Sequence, residues 1–138
     1  MAEPDLKHLQ PGRTGTATLA VGEEHTAARI GSGVAPVLAT PMLVALMERA
    51  AVACVEGALP AGQESLGVRI DVQHTAPTPI GMTVTATAEL TEVRERTLTF
   101  RVDARDEGGL IGQGSHTRVA VDSERFRAKA LAKKPTPK

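Results

Sequence analysis

With 138 residues, 41% of them hydrophobic and 23% charged, the chain has the make-up of one domain large enough to bury its own core. Sixteen basic residues balance sixteen acidic ones and only Phe100 and Phe126 are aromatic, which removes both the basic field and the stacking platform that a nucleic-acid partner would use. The lone Cys54 excludes an internal disulfide, and the apolar run from Pro41 to Val55, broken by Glu48 and Arg49, is too short to span a bilayer, so a cytoplasmic protein without a membrane partner is expected.

Residues 1–13 and 132–138 carry prolines and no periodicity, and are expected to be frayed ends of a single domain covering 1–138. Thr14, Thr16 and Thr18 alternate with small or apolar residues, which predicts a first strand from Thr14 to about Gly22. The stretch IGSGVAPVLA reads as loop. Thr40-Pro41 then signals a helix start, because a threonine can cap exposed N–H groups and proline suits the first turn, and Gly57 and Pro60 mark its end. That helix is apolar almost all round and is expected to be buried on most sides.

Next, SLGVRIDVQHT alternates so that Leu66, Val68, Ile70, Val72 and His74 share one face. MTVTATAELTEV follows with Met82, Val84, Ala86, Ala88 and Leu90 facing one way; RTLTFRVDARD, a turn at Gly108-Gly109, and LIGQGSHTRVAVD complete four strands. A short C-terminal helix opens at Ser123. The fold class is therefore α+β, an antiparallel sheet curled around one long helix, and pairing of its open edges predicts a homodimer.

Glu48 stands in an apolar column between Val44 and Val52. One reading pairs it with a neighbouring arginine such as Arg49 or Arg69; the other keeps a carboxylate in a partly desolvated cleft as base or nucleophile. His74 ends its strand just before Pro77 and Pro79, where a ring can face a cleft, although a lone inner histidine is also an ordinary core residue. Thr40 can cap the helix, or can present a hydroxyl to a substrate carbonyl beside the helix N-terminus. His8 and His25 fall in polar loops. His116 and Arg118 lie in the phase opposite Ile111, Val119 and Val121, a solvated face in the simplest reading, though able to bind a phosphate or carboxylate. One cysteine and four scattered histidines give no metal-ligand spacing, and the serine-hydrolase GxSxG pattern is absent.

The segments LATPMLVALMERA, SLGVRIDVQHTAPTPIGMTVTATAEL and IGQGSHTRV together resemble the hotdog-fold thioesterases, and within them the fluoroacetyl-coenzyme A thioesterase family, over roughly Val37 to Phe126. The resemblance implies a hotdog fold and hydrolysis of an acyl-coenzyme A thioester, with Thr40, Glu48 and His74 as the catalytic triad and the Gly67 backbone and Arg118 near the acyl group or its oxyanion. It implies no cofactor apart from the coenzyme A of the substrate. The fluoroacetyl-selective member carries aromatic residues in the loop before its threonine; here no phenylalanine lies between Gly31 and Thr40, which implies a small or medium acyl chain in place of strict fluoroacetyl selectivity. Two rival readings are an enoyl-thioester hydratase of the same fold, whose aspartate, Asn-Pro and histidine motif is missing, and a non-catalytic acyl-thioester binding domain.

Overall fold

The computed structural model describes residues 6–137. Its elements run β1 (Thr14–Ala20), a one-turn helix α1 (Ala27–Ile30), the long helix α2 (Thr40–Val55), β2 (Gln63–His74), β3 (Thr83–Arg94), β4 (Thr97–Asp106), β5 (Gly109–Asp122) and a C-terminal helix α3 (Ser123–Leu131). The five strands form one antiparallel sheet in the order β1-β3-β4-β5-β2, so β1 and β2 are its edges. β3 and β4 present Val84, Ala86, Ala88, Leu90, Leu98, Phe100, Val102 and Ala104 to the core, following the alternation read from the sequence.

Helix α2 lies across the inner face and buries Leu43, Leu46, Met47, Ala50, Ala51, Cys54 and Val55. Contact with β1 is backbone-close: a Cβ at Gly15 would stand 2.2 Å from the Cys54 nitrogen, so only a residue without a side chain lets the helix sit there. The helix is less enclosed than its composition suggests. Ala45, Arg49, Val52 and Ala53 face outward in one chain, because a five-stranded sheet covers only one side of it.

Of the N-terminal stretch expected to be frayed, residues 1–5 lie outside the described residues, whereas residues 6–13 pack against the fold. Leu6 and Leu9 join the core, the Gly12 N–H donates to the Leu90 carbonyl, and the Arg13 side chain donates to the Cys54 carbonyl at 2.6 Å. Two leucines find apolar surface there that local sequence could not reveal.

A second departure repositions β2. Register with β5 skips Val68: Gly67 opposes Arg118, and Arg69 already opposes Thr117. This bulge exchanges the two faces of the strand at one residue. Ser65 and Gly67 before it therefore share the inner face with Ile70, Val72 and His74 after it, while Val68 is 59% exposed. The single face predicted from Leu66 to His74 is split in two.

Candidate active site

At the start of α2 the helix cap position is Ala39, which makes no side-chain cap, and Thr40 is the first helical residue ahead of Pro41. The threonine hydroxyl is thus not spent on the helix backbone. It lies 2.7 Å from the Nδ1 of His74, which the end of β2 brings to the same place. Burial pushes the His74 imidazole below its ordinary pKa, with a backbone group of Ala76 acting in the opposite direction. Its other nitrogen, Nε2, is buried and has no hydrogen-bond partner among the described residues. Both side chains line an open cleft of about 280 Å³, whose walls include Val37, Leu38 and the Thr75–Pro77 turn.

Glu48 occupies a second cluster. Its Oε2 is 3.5 Å from the Nη1 of Arg118, so its partner is neither Arg49 nor Arg69. The Arg118 side chain is 7% exposed against 42% for Glu48: a buried cation holds a half-open anion. Ser65 secures the guanidinium with its hydroxyl at 2.8 Å and its carbonyl at 2.9 Å, and His116 Nε2 is 3.1 Å from Nη1. Burial lowers the Arg118 pKa, and the neighbouring Glu48 partly restores it. Gly67 leaves open space in this cluster, since a Cβ there would stand 2.6 Å from Glu48 Oε2, 3.2 Å from His116 Cε1 and 3.3 Å from Arg118 Nη1.

His116 and Arg118, which pattern alone puts on a solvated face, are therefore buried. Val119 and Val121 misled that phase: they occupy the outer face of β5, while Gly112, Gly114, His116, Arg118 and Ala120 face inward. Ser65 escaped notice, and nothing local marks it, because the guanidinium it holds is more than fifty residues away along the chain. His25 is also not a free loop histidine; its Nδ1 accepts from the Gly22 N–H at 2.9 Å. Among the described residues no cluster of histidine, cysteine and carboxylate side chains could hold a metal ion, and no helix is long and apolar enough to cross a membrane.

One chain thus brings Thr40 and His74 together, and separately gathers Glu48, Gly67, Arg118, His116 and Ser65. Eight residue steps of helix from Thr40 to Glu48 place the two clusters about 12 Å apart along the axis of α2.

The family model of the fluoroacetyl-CoA-specific thioesterases, FlK, matches residues 21–124. This chain belongs to that family. The fluoroacetyl-CoA thioesterase of Streptantibioticus cattleyicolor is 48% identical over 99 residues, spanning 72% of this chain and 71% of that protein. A solved structure of the fluoroacetyl-CoA thioesterase FlK superposes with a TM-score of 0.87 at 38% identity, covering 92% of this chain and 98% of the other. A thioesterase-superfamily protein of Thermus thermophilus superposes with a TM-score of 0.83 at 28% identity, over 89% and 91% of the two chains. The curled sheet on its helix is the hotdog fold, and thioester hydrolysis is the reaction class of the chain.

Proposed function

We propose that the protein hydrolyses small or medium acyl-coenzyme A thioesters as a homodimer, in a site built from the Thr40–His74 pair of one subunit and the Glu48–Arg118 pair of the other, with no cofactor beyond the coenzyme A of the substrate. The observation that carries this reading is the split itself: each chain holds two polar clusters, each lacking what the other has. An open thioester site needs a group to attack the carbonyl or activate water, a donor for the oxyanion and an acid for the departing thiolate.

Support for the pairing comes from the free edge of β2, whose only ladder among the described residues is with β5. An unpaired strand edge next to exposed apolar residues, here Val68 at 59% and Val52 at 44%, favours a second strand beside it. Antiparallel pairing of two copies of β2 centred on Asp71, with Val68 bulged out of the ladder in both, sets His74 opposite Gly67 of the partner subunit, and residues directly opposite each other point to the same face. Both helices then lie on one side of a continuous sheet, and Glu48 of the partner subunit comes beside the cleft that holds Thr40 and His74.

In that site the Glu48 carboxylate either attacks the acyl carbon, expelling the thiolate and leaving an anhydride that water then hydrolyses, or takes a proton from water as it adds to the carbonyl. The Thr40 hydroxyl orients His74 through Nδ1, and the imidazole passes to the departing coenzyme A thiolate the proton released by the water that is consumed. Arg118 and the Gly67 backbone lie near the carbonyl oxygen as charge develops on it. Structures of FlK variants have been solved with fluoroacetate and with acetyl-CoA, which supports a short acyl group on this scaffold. The loop from Gly31 to Ala39 contains no aromatic residue, and Val34 within it is 95% exposed, which favours a broader acyl range than fluoroacetyl alone.

Release of free thiol from a panel of acyl-CoA substrates, from acetyl to octanoyl and including fluoroacetyl, tests the proposal. We expect turnover highest for short and medium chains, abolished by Glu48→Ala and by His74→Ala in folded protein. Full activity in both variants would remove the site.

A further inference from the structure

We propose that His116 is a positioning residue that holds the Arg118 guanidinium, and through it Glu48, in the arrangement the reaction uses. The inference rests on the Glu48–Arg118 half of the site argued above and adds a residue to it.

His116 is 1% exposed in the middle of β5, a costly place for an imidazole unless both nitrogens are engaged. Both are. Nδ1 lies 2.7 Å from the Arg69 carbonyl, which can only accept, so Nδ1 carries the proton. Nε2 lies 3.1 Å from Arg118 Nη1, which can only donate, so Nε2 offers its lone pair. The two neighbours fix one neutral tautomer. They also join three parts of the fold. Arg69 is the first residue paired after the bulge at Val68, and that bulge turns Gly67 inward toward Glu48.

Ser65 holds Arg118 at Nε and Nη2, and His116 is the remaining anchor, on the same Nη1 that faces Glu48. Without that anchor the planar guanidinium can pivot on its two Ser65 bonds and carry Nη1 away from the carboxylate, which at 42% exposure has solvent to turn to. Phe100 of β4 flanks the imidazole with ring centroids 6.0 Å apart and contributes no charge. The charged groups that face the ring are therefore Arg118 from its own strand and Glu48 from α2; from β2 it meets the Arg69 carbonyl, while the Arg69 side chain is 71% exposed. Burial pushes the His116 pKa down, with Arg118 adding to it, against the raising effects of the Arg69 backbone and Glu48. Protonation at Nε2 would set two donors against each other and place a second positive charge beside the guanidinium.

The test uses full-length His116→Gln, which keeps an uncharged acceptor, and His116→Phe, which keeps ring volume and removes both hydrogen bonds, with Glu48→Ala run in parallel. Thiol release is measured as kcat and KM across pH, alongside thermal unfolding and the ¹⁵N shifts of the native imidazole. A displaced reactive group lowers the chemical step more than ground-state binding, so we expect His116→Phe to reduce kcat by roughly 10- to 100-fold with KM little changed. His116→Gln should keep kcat within about threefold at neutral pH, an acceptor being all the guanidinium requires, and should hold its rate to lower pH than the native enzyme. The nitrogen shifts should report Nδ1–H with a bare Nε2.

Native kcat in folded His116→Phe, alongside an inactive Glu48→Ala, would overturn this role and leave the site standing. Native rates in Glu48→Ala would remove the site and this role together. Should His116→Phe fail to fold, the Gln variant and the nitrogen shifts decide: loss of activity in Gln with an unmoved acid limb, or an Nε2–H tautomer, refutes the proposal.

Discussion

Subunit mixing puts the proposed two-subunit site to its sharpest test. His74→Ala and Glu48→Ala each remove one group that contributes on the order of 10²- to 10⁴-fold, so each homodimer alone should be nearly inactive. In a mixed dimer one of the two sites loses both groups, whereas the other takes native Thr40 and His74 from one subunit and native Glu48 from its partner. Random exchange of equal amounts gives half mixed dimers, each with one of two sites intact, so activity should recover to about a quarter of native. The prediction follows from the roughly 12 Å that α2 places between Thr40 and Glu48, too far for one chain to bring its own carboxylate to its own imidazole. The two variants are co-refolded or co-expressed, dimer mass is checked by light scattering, and thiol release is read on one good acyl-CoA substrate. Recovery no greater than the sum of the parents, with mixed dimers shown to be present, would refute a site shared between subunits.

Further predictions address single features. Gly67→Ala puts a Cβ 2.6 Å from the mobile end of Glu48, so kcat should fall about 10- to 100-fold while the melting temperature barely moves; an unchanged kcat would mean that the carboxylate position does not matter. Gly15→Val meets backbone instead, 2.2 Å from the Cys54 nitrogen and 2.5 Å from the Ala50 carbonyl, and should destabilise by about 3 kcal/mol in urea unfolding as α2 is forced off the sheet; a native midpoint would contradict the packing. Glu48→Gln should abolish thiol release at a stability cost of about 1–2 kcal/mol, since the amide oxygen still accepts from the buried Arg118 but no longer balances its charge; activity retained alongside a stability loss would make the residue structural. His74 and His116 both titrate below their ordinary value in the folded state. The unfolded chain then binds protons first, so stability is complete above the unfolded histidine pKa of about 6.5 and declines as pH falls through it toward the folded values, by at most about 1.4 kcal/mol per pH unit for each histidine. Urea midpoints measured from pH 8 to 5 should show this decline and should show less of it in His116→Gln; a flat profile would refute the buried neutral rings.

Much of this architecture was legible because it is written in local periods. The alternation through Val84, Ala86, Ala88 and Leu90 specifies a half-buried strand, Thr40-Pro41 and Gly57 bracket a helix, and a charge inside an apolar column marks Glu48 as a residue to explain. The same three segments carried the family resemblance, and with it the reaction class.

What local pattern could not hold, the tertiary structure decided. A one-residue bulge at Val68 has no periodic signature, yet it turns Gly67 inward and assigns His74 and Ser65 to the same face. Whether Arg118 is solvated or buried depended on Ser65, His116 and Glu48, partners from three separate elements, because a cation leaves water only where donors and charge are met across the fold. The separation of Glu48 from His74 likewise follows from the rigid rise of a helix. Sequence named the candidate residues of the site; the distances among them exist only once the sheet has closed on α2.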